Sequence, residues 1–457
     1  LALSLAFLGL GIAAFENRNE RKILFGIAGL LLGGFAASLW ILNVDLIGYL
    51  SSSLELIRGY NDAMALQPLK APLYFASFFT LASILLACFF AVYSSNSRRL
   101  MTAFVCLGAF VLFKQSFVRA DYGNMAGFFR FEFLPVGALL ILFPRKKLLY
   151  GLGATLFVGR MIIAPTLGLK WNPLPSVQPS LQYFSNLSKP IELDRTSLEH
   201  LPETFLAEIQ KETVDFIPVS IAFAAADSLN YRGRPVIQSY SSYTPRLDQI
   251  NAEFYRSKQA PKFVVFASTA IDNRYPYLDD SELKKALWTH YEVKQTDSTQ
   301  GLTLFKRRKE ALTLKSVPAF DKELQWGEYL ELPLSEEPVF LQVEIAFSPL
   351  GGLKRLLYQP PPVAIELMDI DGQARRYRAP LPLLKTGFMA SYRIDSTSDA
   401  SRFFKSADPV RIVRISFYSK ESFFGPIIRV HGFTLLRACA SCSQTLDREQ
   451  GTSQQFH

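Results

Sequence analysis

The chain has 457 residues, 49% of them hydrophobic, with 49 Lys and Arg against 40 Asp and Glu and a formal net charge of +9. A positive mean hydropathy in a chain with 19% charged residues argues against one soluble globular domain and for an apolar region joined to a polar one. The positive charge is assigned to inner membrane loops and anionic lipid, which sets nucleic acid aside as a partner. The chain contains no Walker loop, which sets direct use of ATP aside.

Apolar blocks of roughly 17 to 25 residues, the length that crosses about 30 Å of hydrocarbon, crowd the region before residue 169. Six spans are predicted, at 1–15, 22–47, 71–93, 100–118, 125–143 and 148–167. The first starts at Leu1 with no basic segment before it, so it reads as the tail of a longer span with further helices upstream, not as a signal peptide. Arg18, Arg21 and Lys22 follow the first span, Arg98 and Arg99 the third, and Arg145, Lys146 and Lys147 the fifth. All these clusters fall on one side, which the positive-inside rule makes cytoplasmic. Loops 48–70 and 119–124, and everything after the sixth span, then face outward. Gly29 and Gly33 form a small-xxx-small pair expected to pack helices closely. Gly151 and Gly153 lie in an apolar span and are not read as a nucleotide motif.

Charged groups near hydrocarbon are costly and mark functional sites. With this topology Asp45, Lys114, Arg130, Glu132 and Arg160 all fall in the outer leaflet or its interface, and the turn after span four adds Arg119 and Asp121. Two readings stand side by side. The cations snorkel to headgroups while Asp121 and Glu132 pair with them for structure. Alternatively, Lys114, Arg119, Arg130 and Arg160 hold a lipid-linked phosphate, and Asp121, or second Glu132, is the catalytic base toward an acceptor hydroxyl. Arg130 and Glu132, two residues apart on a helix, cannot share a face. In the 49–67 loop, serines 51 to 53 can cap a short helix, giving either an interfacial lid or an amphipathic connector. Glu55 and Asp62 there are reserve acidic candidates.

A Pro- and Ser-rich lead-in opens the polar region. Over 170–310 short apolar runs at 214–217, 235–237 and 263–267 alternate with helical stretches at 246–257 and 281–290, then a hairpin at 291–294 and 301–307. This is the rhythm of a small α/β domain. After the 235–237 run, Gln238, Tyr240, Tyr243 and Asn251 are suited to stack on and hydrogen-bond a sugar, with Arg232 and Arg234 placed to meet an anion. The same residues could instead hold the strand-to-helix turn together. Over 311–437 the pattern is strands only, at 329–332, 339–347, 363–368, 376–378, 410–417 and 427–436, with turn residues between them. The expected fold there is a jelly-roll-like β-sandwich, followed by a disordered tail over 438–457. The fold class is therefore multi-domain: an α-helical transmembrane bundle, a small α/β domain and a β-sandwich.

His200, His290, His431 and His457 show no metal or triad spacing, so no metal ligand is assigned. No cofactor is evident, and a divalent ion is left open. Cys88 and Cys106 read as packing residues, while Cys439 and Cys442 form a CxxC read as an exported disulfide or an incidental pair.

The runs 58–64 (Arg-Gly-Tyr-Asn-Asp-Ala-Met), 117–121 (Phe-Val-Arg-Ala-Asp) and 234–244, with 247–251 after them, resemble a group of large bacterial polytopic inner-membrane proteins. The layout of many spans before a periplasmic α/β region is similar to GT-C glycosyltransferases, which use polyprenyl-phosphate sugars. That resemblance implies a glycosyltransferase of envelope glycan assembly, acting at the periplasmic face on a polyprenyl-linked sugar within the lipid bilayer. GT-C enzymes usually carry their catalytic acid in the first outward loop, which is expected upstream of Leu1, so no catalytic residue is transferred by motif. The rival is a non-catalytic envelope protein whose periplasmic domains bind glycan or a partner protein while the helices anchor it. A transporter would need charges in the inner half of the spans, and the sequence has almost none.

Overall fold

The computed structural model describes residues 21–92, 95–131, 133–143, 147–167, 198–334 and 336–437. The first predicted span, Glu132 and the tail with Cys439 and Cys442 lie outside the described residues, as does the side chain of Arg160. The described residues fall into two compact units. One is drawn from 21–54, 64–167 and 357–359, the other from 55–63, 198–356 and 360–437.

The first unit is helical: α1 (Arg21–Ile41), the start of α2 (Leu46–Met64), α3 (Lys70–Val92), α4 (Asn96–Val118), α5 (Tyr122–Phe131), α6 (Phe133–Leu142) and α7 (Lys147–Ile163). Three stretches, Lys70–Val92, Arg99–Val118 and Tyr122–Leu142, are long and apolar enough to cross a membrane. A fourth is obtained if the bent pair α1 and α2 counts as one span. The second predicted span therefore stops early. Asn43 takes a left-handed φ of 51°, Asp45 caps α2 by accepting from the Ile47 amide at 3.1 Å, and the chain turns by 103°. The cap is thus Asp45 and not the serines, of which Ser51 bonds back to the Gly48 carbonyl inside the helix.

The core of this unit is aromatic. Phe117, Met125, Phe128 and Phe129 pack with Ala76, Ala120, Ile163 and Leu167, the Phe117 and Phe128 rings meeting edge to face at 5.5 Å. Close helix approach occurs at Gly159, where a Cβ would meet the Phe75 ring at 1.6 Å. Gly29 and Gly33, expected to pack, have nothing within 4 Å among the described residues.

The second unit contains three sheets. The first runs through α8 (Glu203–Ile209), β1 (Thr213–Ile217), α9 (Ala222–Ala226), β2 (Asn230–Tyr231), α10 (Pro245–Arg256), β3 (Phe263–Phe266), α11 (Ser281–His290), β4 (Tyr291–Asp297) and β5 (Leu302–Arg307). Its strand order is β2-β1-β3-β5-β4, with β2, β1 and β3 parallel and β5 and β4 antiparallel. Fully buried Val214, Phe216, Phe263, Val265 and Leu304 pack against Phe205 and Ile209 of α8. The run 235–237 is not a strand, because Pro235 has no amide proton to give and the Val236 amide and carbonyl are both taken by Asn251.

The chain then continues through β6 (Leu314–Leu324), β7 (Tyr329–Glu331), β8 (Val339–Phe347), α12 (Pro349–Leu357), β9 (Ala364–Asp369), β10 (Ala374–Arg378), α13 (Leu381–Thr386), β11 (Phe388–Met389), α14 (Thr397–Lys405), β12 (Ile412–Tyr418) and β13 (Phe424–Arg437). These strands form two four-stranded antiparallel sheets, β10-β9-β12-β7 and β11-β8-β13-β6. The region is not strands only. Helices α12, α13 and α14 interrupt it, and α14 starts with Ser396 accepting from the Asp399 amide at 3.1 Å, a cap that makes the polar stretch helical.

Candidate functional site

The polar turn between α4 and α5 is organised by Asp121. Its carboxylate accepts from the Asn124 amide at 2.8 Å and from the Asn124 side chain at 3.0 Å, and it pairs with Arg119 Nε at 3.1 Å. Asp121 thereby caps α5 while remaining over a third exposed. Lys114 is half-buried on α4, and Arg130 is exposed in the last turn of α5. The turn is anchored by Gln359, whose amide donates to the Leu66 and Phe117 carbonyls at 3.4 Å each. Of the sequence-selected group, the geometry brings Arg119 and Asp121 together.

In the second unit the sugar-binding candidates divide by exposure. Arg232 and Gln238 are exposed and Tyr240 is half-buried, whereas Arg234, Tyr243 and Asn251 are buried. Arg234 donates to Asp215 at 3.0 Å, to the Phe216 and Pro218 carbonyls at 2.8 and 2.7 Å, and to Ser239 at 3.1 Å. It also lies 3.7 Å from Asp280. Asn251 bonds Asp280 at 3.1 Å, and Tyr255 donates to Asp215 at 2.8 Å. Tyr243 donates to the Leu56 carbonyl at 2.7 Å and covers Gly59, where a Cβ would sit 2.4 Å from its ring. These three side chains spend their polar atoms inside the unit, holding α10 and residues 55–63 in place.

The strand order β2-β1-β3 reverses direction of growth between β1 and β3, and open α/β sheets receive ligands beyond the carboxyl ends at such a point. Here the protein fills the end of β1 itself. Pro218 accepts from Arg234 and from the Ser239 amide.

The charged network continues through Asp248, which accepts from the Glu282 and Leu283 amides at 2.9 and 3.0 Å and so caps α11. Arg274 pairs with Asp279 at 2.8 Å and donates to the Ala63 carbonyl at 2.8 Å, joined there by Arg378 at 2.5 Å. Two guanidinium groups thus satisfy a carbonyl at the end of α2, where the helix dipole is negative. Lys284 is buried against the Pro276 and Asp279 carbonyls, and its burial lowers its pKa. Burial and the neighbouring Asp280 raise the Asp248 carboxyl to about 8. Charge balance agrees with that direction: Asp215, Asp279 and Asp280 already match Arg234, Arg274 and Lys284, so a fourth carboxylate would be in excess.

A pH dependence follows from Asp248. Its folded pKa lies above the unfolded value of 3.8, so the native state holds a proton that the unfolded chain has released. Stability from this group is complete at low pH and is lost as pH rises through about 8. Denaturation of the full chain at pH 6 and pH 9 is expected to show lower stability at pH 9, with a smaller difference in Asp248→Asn. An equal difference in both proteins would contradict the assignment.

An open cleft of about 640 Å³ lies within the second unit. Val343, Ile345, Ala346 and Phe347 of β8 and Ile427 of β13 supply its apolar lining. Glu344, Lys385 and Arg429 stand at it with exposed side chains, and Asp62 and Arg355 close one side. Arg355 grips Asp62 through two bonds of 2.6 Å each, and that hydrogen bonding raises the Arg355 pKa. Asp62 appears among the reserve acids of the sequence reading. Arg355, Glu344, Lys385 and Arg429 do not, because they come from separate elements, Arg355 lying 293 residues from the Asp62 it grips. Among the described residues no three His, Cys, Asp or Glu side chains converge as a metal site. No protein-family model, curated protein or solved structure matches the chain.

Proposed function

We propose that the chain is a multi-pass inner-membrane protein of bacterial cell-envelope glycan assembly whose strand-rich region faces the periplasm and binds a saccharide. The observation that carries this reading is the cleft: an apolar lining beside Glu344, Lys385, Arg429 and the Asp62–Arg355 pair. Sugars present apolar ring faces and a rim of hydroxyls, and a lining of this mixed kind suits both. On this reading the two four-stranded sheets are the faces of a β-sandwich that presents the cleft, and the helices hold it at the bilayer.

Glycosyl transfer from a polyprenyl-phosphate sugar is the second reading. It is favoured by one arrangement, the part-exposed Asp121 carboxylate 3.1 Å from the Arg119 guanidinium at the end of an apolar helix. Asp121 would act as base and Arg119, with Lys114, Arg130 and Arg160, as phosphate holders. The Asp121 Oδ1 already accepts two hydrogen bonds from Asn124, which an acceptor hydroxyl would have to compete with.

The two readings separate in one set of membranes carrying the full chain. The binding reading expects retention of an envelope oligosaccharide that falls at least tenfold in Glu344→Gln combined with Lys385→Ala and is unchanged in Asp121→Asn. The transfer reading expects radiolabelled sugar incorporation from a polyprenyl-phosphate donor that Asp121→Asn abolishes. Oligosaccharide retention that ignores the cleft substitutions overturns the first reading.

A further inference from the structure

Helix α12 exposes Leu350, Leu353, Leu356 and Leu357 by 53, 51, 66 and 51% respectively. At 100° per residue these four fall within an arc of about 120°. The opposite side of the helix is committed. Gly351 presses so closely on the chain at Phe423 that a Cβ would stand 1.8 Å from its carbonyl oxygen. The leucine arc therefore faces outward as a consequence of how the helix is seated.

Three observations say what covers the arc. Its rim is basic, with Lys354 and Lys420 over the Phe423 ring at 5.5 and 5.4 Å. The same chain carries helices long and apolar enough to cross a membrane. The last residue of α12 and the two that follow it, Leu357–Gln359, belong to the helical unit. There the Tyr358 ring lies 6.0 Å from Phe113 and Gln359 bonds the Phe117 carbonyl near the end of α4. The C-terminal end of α12 thus runs directly into residues that pack against an apolar helix.

We propose that α12 is an interfacial helix, lying in the headgroup–acyl boundary with its leucine arc in the bilayer and Lys354 and Lys420 against anionic lipid headgroups. This placement holds whatever the cleft binds. It gives the strand-rich unit a second hold on the membrane besides its chain connections.

The test uses the full chain in lipid nanodiscs, with native cysteines replaced and an environment-sensitive fluorophore at Leu353→Cys or Leu356→Cys. Leu334→Cys, at a leucine of 66% exposure elsewhere, is the water-facing control. Emission at 353 and 356 is expected to be blue-shifted and quenched at least threefold more than the control by doxyl groups on lipid tails. In discs with anionic lipid, Lys354→Glu combined with Lys420→Glu is expected to reduce that quenching, and in zwitterionic discs to leave it unchanged. Labels that behave like the control overturn the proposal. So does a blue shift without lipid quenching, which would mean that protein covers the arc, and a charge effect equal in both lipids overturns the headgroup contact.

Discussion

Arg234→Ala is expected to destabilise the five-stranded layer by about 3–5 kcal/mol, the cost of leaving buried carboxylates without their cation. Asp215 and Asp280 are both fully buried, and Arg234 is the cation that reaches both. Burial opposes the charge on Arg234, but the two carboxylates more than offset it and raise its pKa. A loss of that size is a large share of the roughly 5–15 kcal/mol that holds a typical domain folded. Hydrogen exchange on the full chain should show β1 and β3 losing protection while amides of α3 and α4 keep theirs. Arg234→Lys is expected to fail as a rescue, since one ammonium cannot match a planar fork bonded to Asp215, Ser239 and two carbonyls. Unchanged protection of β1 in Arg234→Ala would refute the role assigned to the network.

Gly387→Ala is the second substitution with a large expected effect, about 3 kcal/mol from backbone strain and overpacking together. Gly387 has φ 100° and ψ 170°, a region that side-chain-bearing residues essentially do not enter. A Cβ there would also lie 2.4 Å from the Phe340 ring and 2.7 Å from the Leu341 carbonyl oxygen. The same residue ends α13 and accepts from Ser281 at 2.6 Å, so strain at this point reaches α11. Thermal denaturation should show a clear drop for Gly387→Ala. Ala at the open position Gly352 of α12, where a Cβ would meet nothing within 4 Å, should change little.

How far the sequence could be read depended on whether a local pattern carried the information. The run at β3 is a continuous apolar strand and that at β1 is apolar but for Asp215, and both were legible, as was the β4–β5 hairpin, since burial on both faces leaves a local trace. Strand β6 left none. Most of its side chains are exposed or half-buried, and its pairing with β13 is what makes it a strand. Helix α12 was hidden because Gly351-Gly352 reads as a turn, while its helical seat depends on the distant Phe423 backbone.

The candidate sites divide in the same way. Polar residues at 234, 243 and 251 stood out in the sequence, but their burial is set by Asp215, Leu56 and Asp280, none of them near in the chain. Asp121 was selected for charge near an apolar helix, and what it does locally is cap the next helix. The cleft could not be read at all, since Asp62, Glu344, Lys385 and Arg429 come from four separate elements.

The most direct test of the saccharide-binding account is photo-crosslinking of the full chain, in membranes, with an envelope oligosaccharide carrying a diazirine, followed by mass-spectrometric mapping. The account predicts adducts on residues 343–347 and 425–429 that disappear with excess unlabelled saccharide. Adducts confined to the turn around Arg119 and Asp121, or labelling that competitor does not reduce, would contradict it.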